Sequence, residues 1–115
     1  MAVNVEALVI AEINRVKGAR FASADIPENR PARFVTVERT GGPETVYLGR
    51  PTLAVQCWDS SRFAASELAA EIADILKKMV THPQVGRVDI PSIYNFPDIS
   101  GQARYQLIVN MVTKG

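Results

Sequence analysis

The sequence has one cysteine, one histidine and one tryptophan among its 115 residues, and each shortage removes a class of chemistry. A lone cysteine, Cys57, allows no internal disulfide, and one Cys with one His is too small a set of soft ligands for a typical zinc site. A reducing cytosol is the expected compartment. The formal net charge is only +1, whereas a surface built to hold nucleic acid normally carries a strong excess of Lys and Arg. Long apolar runs are also missing. The opening MAVNVEALVIAEINRVKG has no basic stretch ahead of its apolar residues and is interrupted by Glu6 and Glu12, so it reads neither as a signal peptide nor as a membrane span. No repeat, low-complexity tract or linker divides the chain. What is present is 47% hydrophobic and 22% charged residues, near the globular average, in a length that suits one domain, 1–115, with one core.

Periodicity supplies the elements. Val5, Leu8, Val9, Ile13 and Val16 recur at helical spacing, with Asn4 as a cap and Lys17-Gly18 as a basic last turn and stop, so a first helix is expected over Val5–Lys17. A long Pro-containing loop follows to Ala32, with a short strand at Arg20–Ala22, and its length suggests an arm or contact loop. Arg33–Arg39 alternates as a strand. The turn-rich TGGPE after it and the extended TVYL predict a hairpin. In Thr52–Trp58, Leu53, Val55 and Cys57 share one face and Thr52, Ala54, Gln56 and Trp58 the other. The period then switches at Asp59-Ser60-Ser61, good N-cap residues, to a helical stripe of Leu68, Ile72, Ile75, Leu76 and Met79. Thr81-His82-Pro83 ends that helix. Short strands are expected at Gly86–Ile90 and Tyr94–Pro97, then the longest one at Ala103–Thr113, where Tyr105, Leu107, Val109 and Met111 share a face. The order favours α+β, with a mainly antiparallel sheet and two helices packed on one face.

No catalytic constellation accompanies this pattern. Cys57 shares a core-type face without an activating cation, and His82 sits at a helix end where an imidazole meets terminal carbonyls, so a Cys/His nucleophilic pair is disfavoured. Glu67, Glu71 and Asp74 line one helical face; they read as a solvated face or a contact to a neighbouring subunit rather than as a cation site. TGGPE lacks the lysine and the helix of a phosphate cradle and is explained by a turn. Arg30, Arg33, Arg39 and Arg50 fall in or beside the loop and hairpin, where a rim or subunit contact is the default and an acidic partner or DNA phosphates the alternatives. Trp58, Tyr94, Phe96 and Tyr105 are candidates for a surface aromatic group, with core packing the competing reading for each. No enzyme activity, cofactor or metal is expected.

The residues that point this way also carry a likeness. RFVTVERTGG, then RPTLAVQCWDSSRFAASELAAEIADIL with Trp58, Ser60-Ser61 and an alanine-rich helix, and a closing RYQLIVNMVTK that opens on Arg104-Tyr105, resemble the tail-terminator or tail-completion proteins of long-tailed bacteriophages and prophages. The likeness is one of layout over nearly the whole chain. It implies an α+β subunit that forms a homo-hexameric ring on the tail tube, ends tube polymerisation and offers a docking face to the head connector or stopper protein. Genome DNA would pass through the ring without sequence-specific recognition, no membrane is involved, and the site is the tail-neck junction of a virion assembled in the bacterial host cytoplasm. In that setting Arg30, Arg33, Arg39 and Arg50 would supply polar contacts, and Glu67, Glu71 and Asp74 an acidic outer face. Two rivals stand beside it: another neck component, such as a head-completion or stopper protein, and a free-standing ferredoxin-like domain binding a small ligand or nucleic acid.

Overall fold

The structure, a computed structural model, describes residues 4–45 and 48–114. Helix α1 runs over Val5–Lys17, begun by Asn4, whose Oδ1 accepts from the Ala7 N–H at 3.0 Å. It ends where Gly18 takes φ +117° and donates its N–H to the Asn14 carbonyl. Steps of four along it bury Val5, Val9 and Ile13. Strand β1, Ala22–Ser23, is held beside α1 by Asn14, which donates to the Ala22 carbonyl and accepts from the Ala22 N–H. The strand starts later than the expected Arg20–Ala22 because that pair of hydrogen bonds sets its position.

Strand β2 is Phe34–Gly41, β3 is Leu48–Gly49 and β4 is Thr52–Asp59. The expected hairpin between β2 and TVYL does not form. β2 pairs antiparallel with β4, from Phe34 opposite Trp58 to Gly41 opposite Thr52, while Leu48 and Gly49 pair with Lys114 and Thr113. Burial decides this: β4 brings Leu53, Val55 and Cys57 to the core, whereas β3 offers only two residues, one of them a glycine. Val46 and Tyr47 of TVYL lie outside the described residues.

Helix α2, Arg62–Lys77, is capped by Ser61, whose hydroxyl accepts from the Ala64 N–H at 3.1 Å. It buries Ala65, Leu68, Ala69, Ile72, Ala73 and Leu76, the alanines letting its backbone approach the sheet. A 3₁₀ turn, Lys78–Thr81, continues it to buried Met79. His82 does not meet terminal carbonyls; its Nδ1 accepts from the Gln84 N–H at 3.0 Å. Strands β5, Val85–Asn95, and β6, Ala103–Lys114, form one long hairpin. The two short segments expected here are thus a single strand. Pro91 does not break it, because the residue falls in a register shift between Asp89 and Ser92, on a strand paired along β6 alone.

The sheet runs β1-β2-β4-β6, with β3 and β5 both paired to β6, and only β1 with β2 is parallel. Both helices pack on one face, where α1 and α2 close over Val35, Val37, Leu53, Val55, Cys57, Leu107, Val109 and Met111 in one apolar core. Each large side chain fully buried there contributes about 1.5–3 kcal/mol. The α+β architecture with a mainly antiparallel sheet and helices on one side is the one expected from periodicity.

Candidate functional site

The helix-free face of the sheet carries a polar track across four strands. The Thr36 hydroxyl donates to Gln56 Oε1 at 3.2 Å, Gln56 Nε2 donates to Gln106 Oε1 at 2.7 Å, and Gln106 Nε2 donates to the Tyr94 hydroxyl. Each amide thus has a fixed orientation. Beside the track, Phe34, Trp58 and Arg104 are direct cross-strand neighbours on β2, β4 and β6. Phe34 and Trp58 stack with centroids 5.1 Å apart and planes at 11°. The Arg104 guanidinium lies 4.8 Å from the Trp58 ring and 4.3 Å from the Phe96 ring, and Arg30 lies 5.3 Å from Trp58. Trp58 is therefore completely buried rather than a surface aromatic, and its indole N–H donates to the Thr36 hydroxyl at 3.2 Å. Tyr94 and Phe96 remain exposed, and Tyr105 is half-buried against the core.

Four of the seven charged candidates are engaged within the subunit. Arg30 holds the long loop to the β5–β6 tip through Gln102 Oε1 at 3.2 Å, Ser100 at 3.3 Å and Asp98 at 3.7 Å. Asp98 also meets Arg104 at 3.5 Å, and its carboxyl is held below its ordinary range chiefly by the Ser100 hydroxyl. Arg33 and Glu71, read from the sequence as parts of different surfaces, meet at 3.2 Å; Glu71 also receives Lys17 at 2.5 Å, and Arg33 reaches Asp59 at 3.3 Å. Arg39 folds the excursion after β2, donating to the Gly41 and Gly42 carbonyls and pairing with Glu44 at 3.2 Å. Its own N–H is taken by Glu6 Oε2 at 2.7 Å, which blunts the exposed edge of β2.

The Lys17 hydrogen bond, then the charges of Lys17 and Arg33, hold the Glu71 carboxyl below the usual glutamate value, with burial opposing them. A depressed native pKa gives stability that is present above the unfolded value, about 4.3, and lost as pH falls through the native one. Glu71→Gln is expected to lower stability by less than about 1 kcal/mol at pH 7, since the carboxylate is half exposed. The difference from the parent should begin to shrink as the pH falls past about 4 and vanish below the lower native value of Glu71, as measured by urea unfolding at stepped pH.

The other three candidates, Arg50, Glu67 and Asp74, are exposed and have no ion pair among the described residues. Asp74 lies one turn before Lys77 and Lys78, so local charge balances it. Arg50 lines a 280 Å³ depression with Arg87, Asp89, Asn110, Met111 and Val112, at the end of the sheet away from the β5–β6 tip. A larger hollow of 520 Å³ lies in the long loop, among Arg20, Asp25, Ile26, Pro27 and their neighbours.

Sequence reasoning missed Arg87 and Phe63. Phe63 is 74% exposed on the first turn of α2. Its signal was available, because it falls out of phase with the Leu68, Ile72 and Leu76 stripe. Ile99, fully exposed at the β5–β6 tip, was hidden inside a turn-rich segment. Burial pushes the Cys57 thiol far up, so it is held as the unreactive protonated form. Among the described residues no group of three or more His, Cys, Asp or Glu side chains gathers where a metal ion would be held, and no helix is long and apolar enough to cross a membrane.

The fold has a solved counterpart. It is similar to a chain in the virion of a native gene transfer agent particle, with a TM-score of 0.61 and 13% sequence identity, covering 98% of this chain and 89% of that one. No protein-family model and no curated protein sequence matches. The likeness is one of fold, over nearly the full length of both chains.

Proposed function

We propose that the chain is a structural protein of a phage-like virion: a tail terminator that assembles as a ring of six on the end of the tail tube, ends tube polymerisation and joins the tail to the head connector. The observation that carries this reading is the fold likeness to a component of a gene transfer agent virion over almost all of both chains. The resemblance in layout to tail-completion proteins supports it. A closed ring needs heterologous contacts, in which two different patches of the subunit meet. The unpaired Arg50 and the acidic positions of α2 are suited to such contacts, and the ion pairs of Arg30, Arg33 and Arg39 pre-organise the loops beside them.

The role is non-enzymatic and located at the tail-neck junction. Its partners are further copies of itself, the tail-tube protein and the head connector or stopper protein. The near-neutral chain, at net +1, suits a ring that lets DNA pass without gripping it. Native mass spectrometry over a range of concentrations tests the ring. A closed species of six is expected, whereas an assembly that stops at the dimer or lengthens without closing contradicts it.

A further inference from the structure

Of the seven charged candidates, Arg50 and Glu67 are the clearest pair of opposite charges without an ion pair among the described residues. Glu67 has Phe63 and Ala64 one turn before it and Ala70 and Glu71 one turn after, so no cation of its own helix lies within reach. Glu71 adds repulsion, and its own two cations are already engaged. Phe63, four residues before Glu67 on the same helical face, is 74% exposed. The outer surface of α2 thus presents an aromatic ring beside a lone carboxylate.

The depression at Arg50 has the complementary chemistry. Arg50 and Arg87 line it together with the half-buried Val112, while Met111, also along it, turns its side chain into the core. Asp89 offsets one of the two charges, pairing with Arg87 at 2.7 Å, so the depression keeps a net positive charge centred on Arg50. Asn110 bounds it on the face that bears the polar track, where its Oδ1 accepts from the Thr52 hydroxyl at 2.9 Å. Its volume of 280 Å³ is sufficient for one large side chain. This surface belongs to the sheet and the Phe63–Glu67 surface to the helix layer, so one subunit cannot bring them together.

We infer that the Phe63–Glu67 face of α2 in one copy docks into the Arg50–Arg87 depression of the next copy, with the Glu67 carboxylate on Arg50 and the Phe63 ring against Val112. The contact is heterologous, so repetition gives an array that closes when the rotation between copies allows. It names the subunit contact of the ring proposed above and rests on that reading.

The test is a native mass spectrometry concentration series on the wild type, Arg50→Glu, Glu67→Arg and a 1:1 mixture of the two variants. Each variant alone places like charges at every contact, and the midpoint concentration for assembly should rise about tenfold or more. In the mixture, the intact Glu67 of one variant meets the intact Arg50 of the other, and the substituted positions meet as an inverted pair. Assembly should return to within about twofold of the wild type. Phe63→Ser should weaken assembly without any change of charge. Restoration on mixing is not obtainable from a variant that fails to fold. If either single variant assembles like the wild type, or both fail and mixing restores nothing, the pairing is wrong, while a ring of six in the wild type would leave the terminator reading intact. A wild type that stays monomeric throughout overturns the contact as well, and the terminator reading would then be judged on tail tubes.

Discussion

Trp58→Ala is expected to remove about 3–5 kcal/mol of stability and to lower the thermal midpoint by more than about 10 °C. The indole is fully buried at the centre of a layered group, with Phe34 stacked on it and the Arg104 and Arg30 guanidinium groups against it. Removing it leaves a cavity and also deprives Arg104 of one of the two rings between which it is held. Because Arg104 also donates to the Phe96 carbonyl at 2.6 Å and pairs with Asp98, the damage should spread to the β5–β6 tip and to the loop that Arg30 fastens there. Trp58→Phe keeps much of the apolar area but loses the hydrogen bond to Thr36, and should cost roughly half as much. Urea unfolding with hydrogen exchange at residues 96–104 checks both parts. Loss of stability without loss of protection at the tip would show that the layered group does not hold the tip in place.

Gly42→Ala is the second large effect, about 2 kcal/mol or more. Gly42 has φ +103°, and a Cβ there would stand 2.1 Å from the Arg50 carbonyl oxygen and 2.8 Å from Pro51 Cα, both backbone atoms that a rotamer change cannot move aside. The excursion between β2 and β4 must open to admit it, disturbing the 2.8 Å hydrogen bond from the Arg50 N–H to the Pro43 carbonyl. Gly18→Ala is the control. Gly18 also has a positive φ, +117°, but nothing lies within 4 Å of the point where its methyl would stand, so the substitution should cost only the conformational penalty of about 1 kcal/mol. Chemical denaturation of the two variants separates backbone overlap from backbone preference. Equal losses would mean that the approach of Gly42 to Arg50 carries no energy.

The elements that were legible in the sequence are those whose signals are local. α1 begins and ends where Asn4 and Gly18 say it should, because a cap and a positive-φ glycine act within one turn. β4 and β6 were legible because Leu53, Val55 and Cys57, and Leu107, Val109 and Met111, recur at every second position, and the cap of α2 because Ser61 stands at the change of period. Pairing was not legible in the same way. A turn-rich segment beside two extended stretches favours a local hairpin, yet β2 chose β4, beyond the whole excursion, for the apolar area it buries. β5 was split in sequence because Pro91 is a local breaker, while an edge strand with a register shift admits it.

The candidate surface divides along the same line. Charge identity is local: Arg30, Arg33, Arg39 and Arg50 were visible in or beside the loop and hairpin, and Glu67, Glu71 and Asp74 along one face of a helix. Which of them finds a partner is a tertiary property. Arg33 and Glu71 are 38 residues apart and Arg30 and Gln102 are 72 apart, so only the assembled sheet separates those spent on internal contacts from Arg50 and Glu67.

The most direct test of the terminator reading is tube growth in vitro. Purified chain would be added to polymerising tail-tube protein, and tube lengths and ends followed by negative-stain electron microscopy. A terminator should give ring-shaped density at one end only and growth that stops as the ends fill, with shorter tubes at higher ratios of added chain. Tubes that lengthen at the same rate, with bare ends at every ratio, would contradict it.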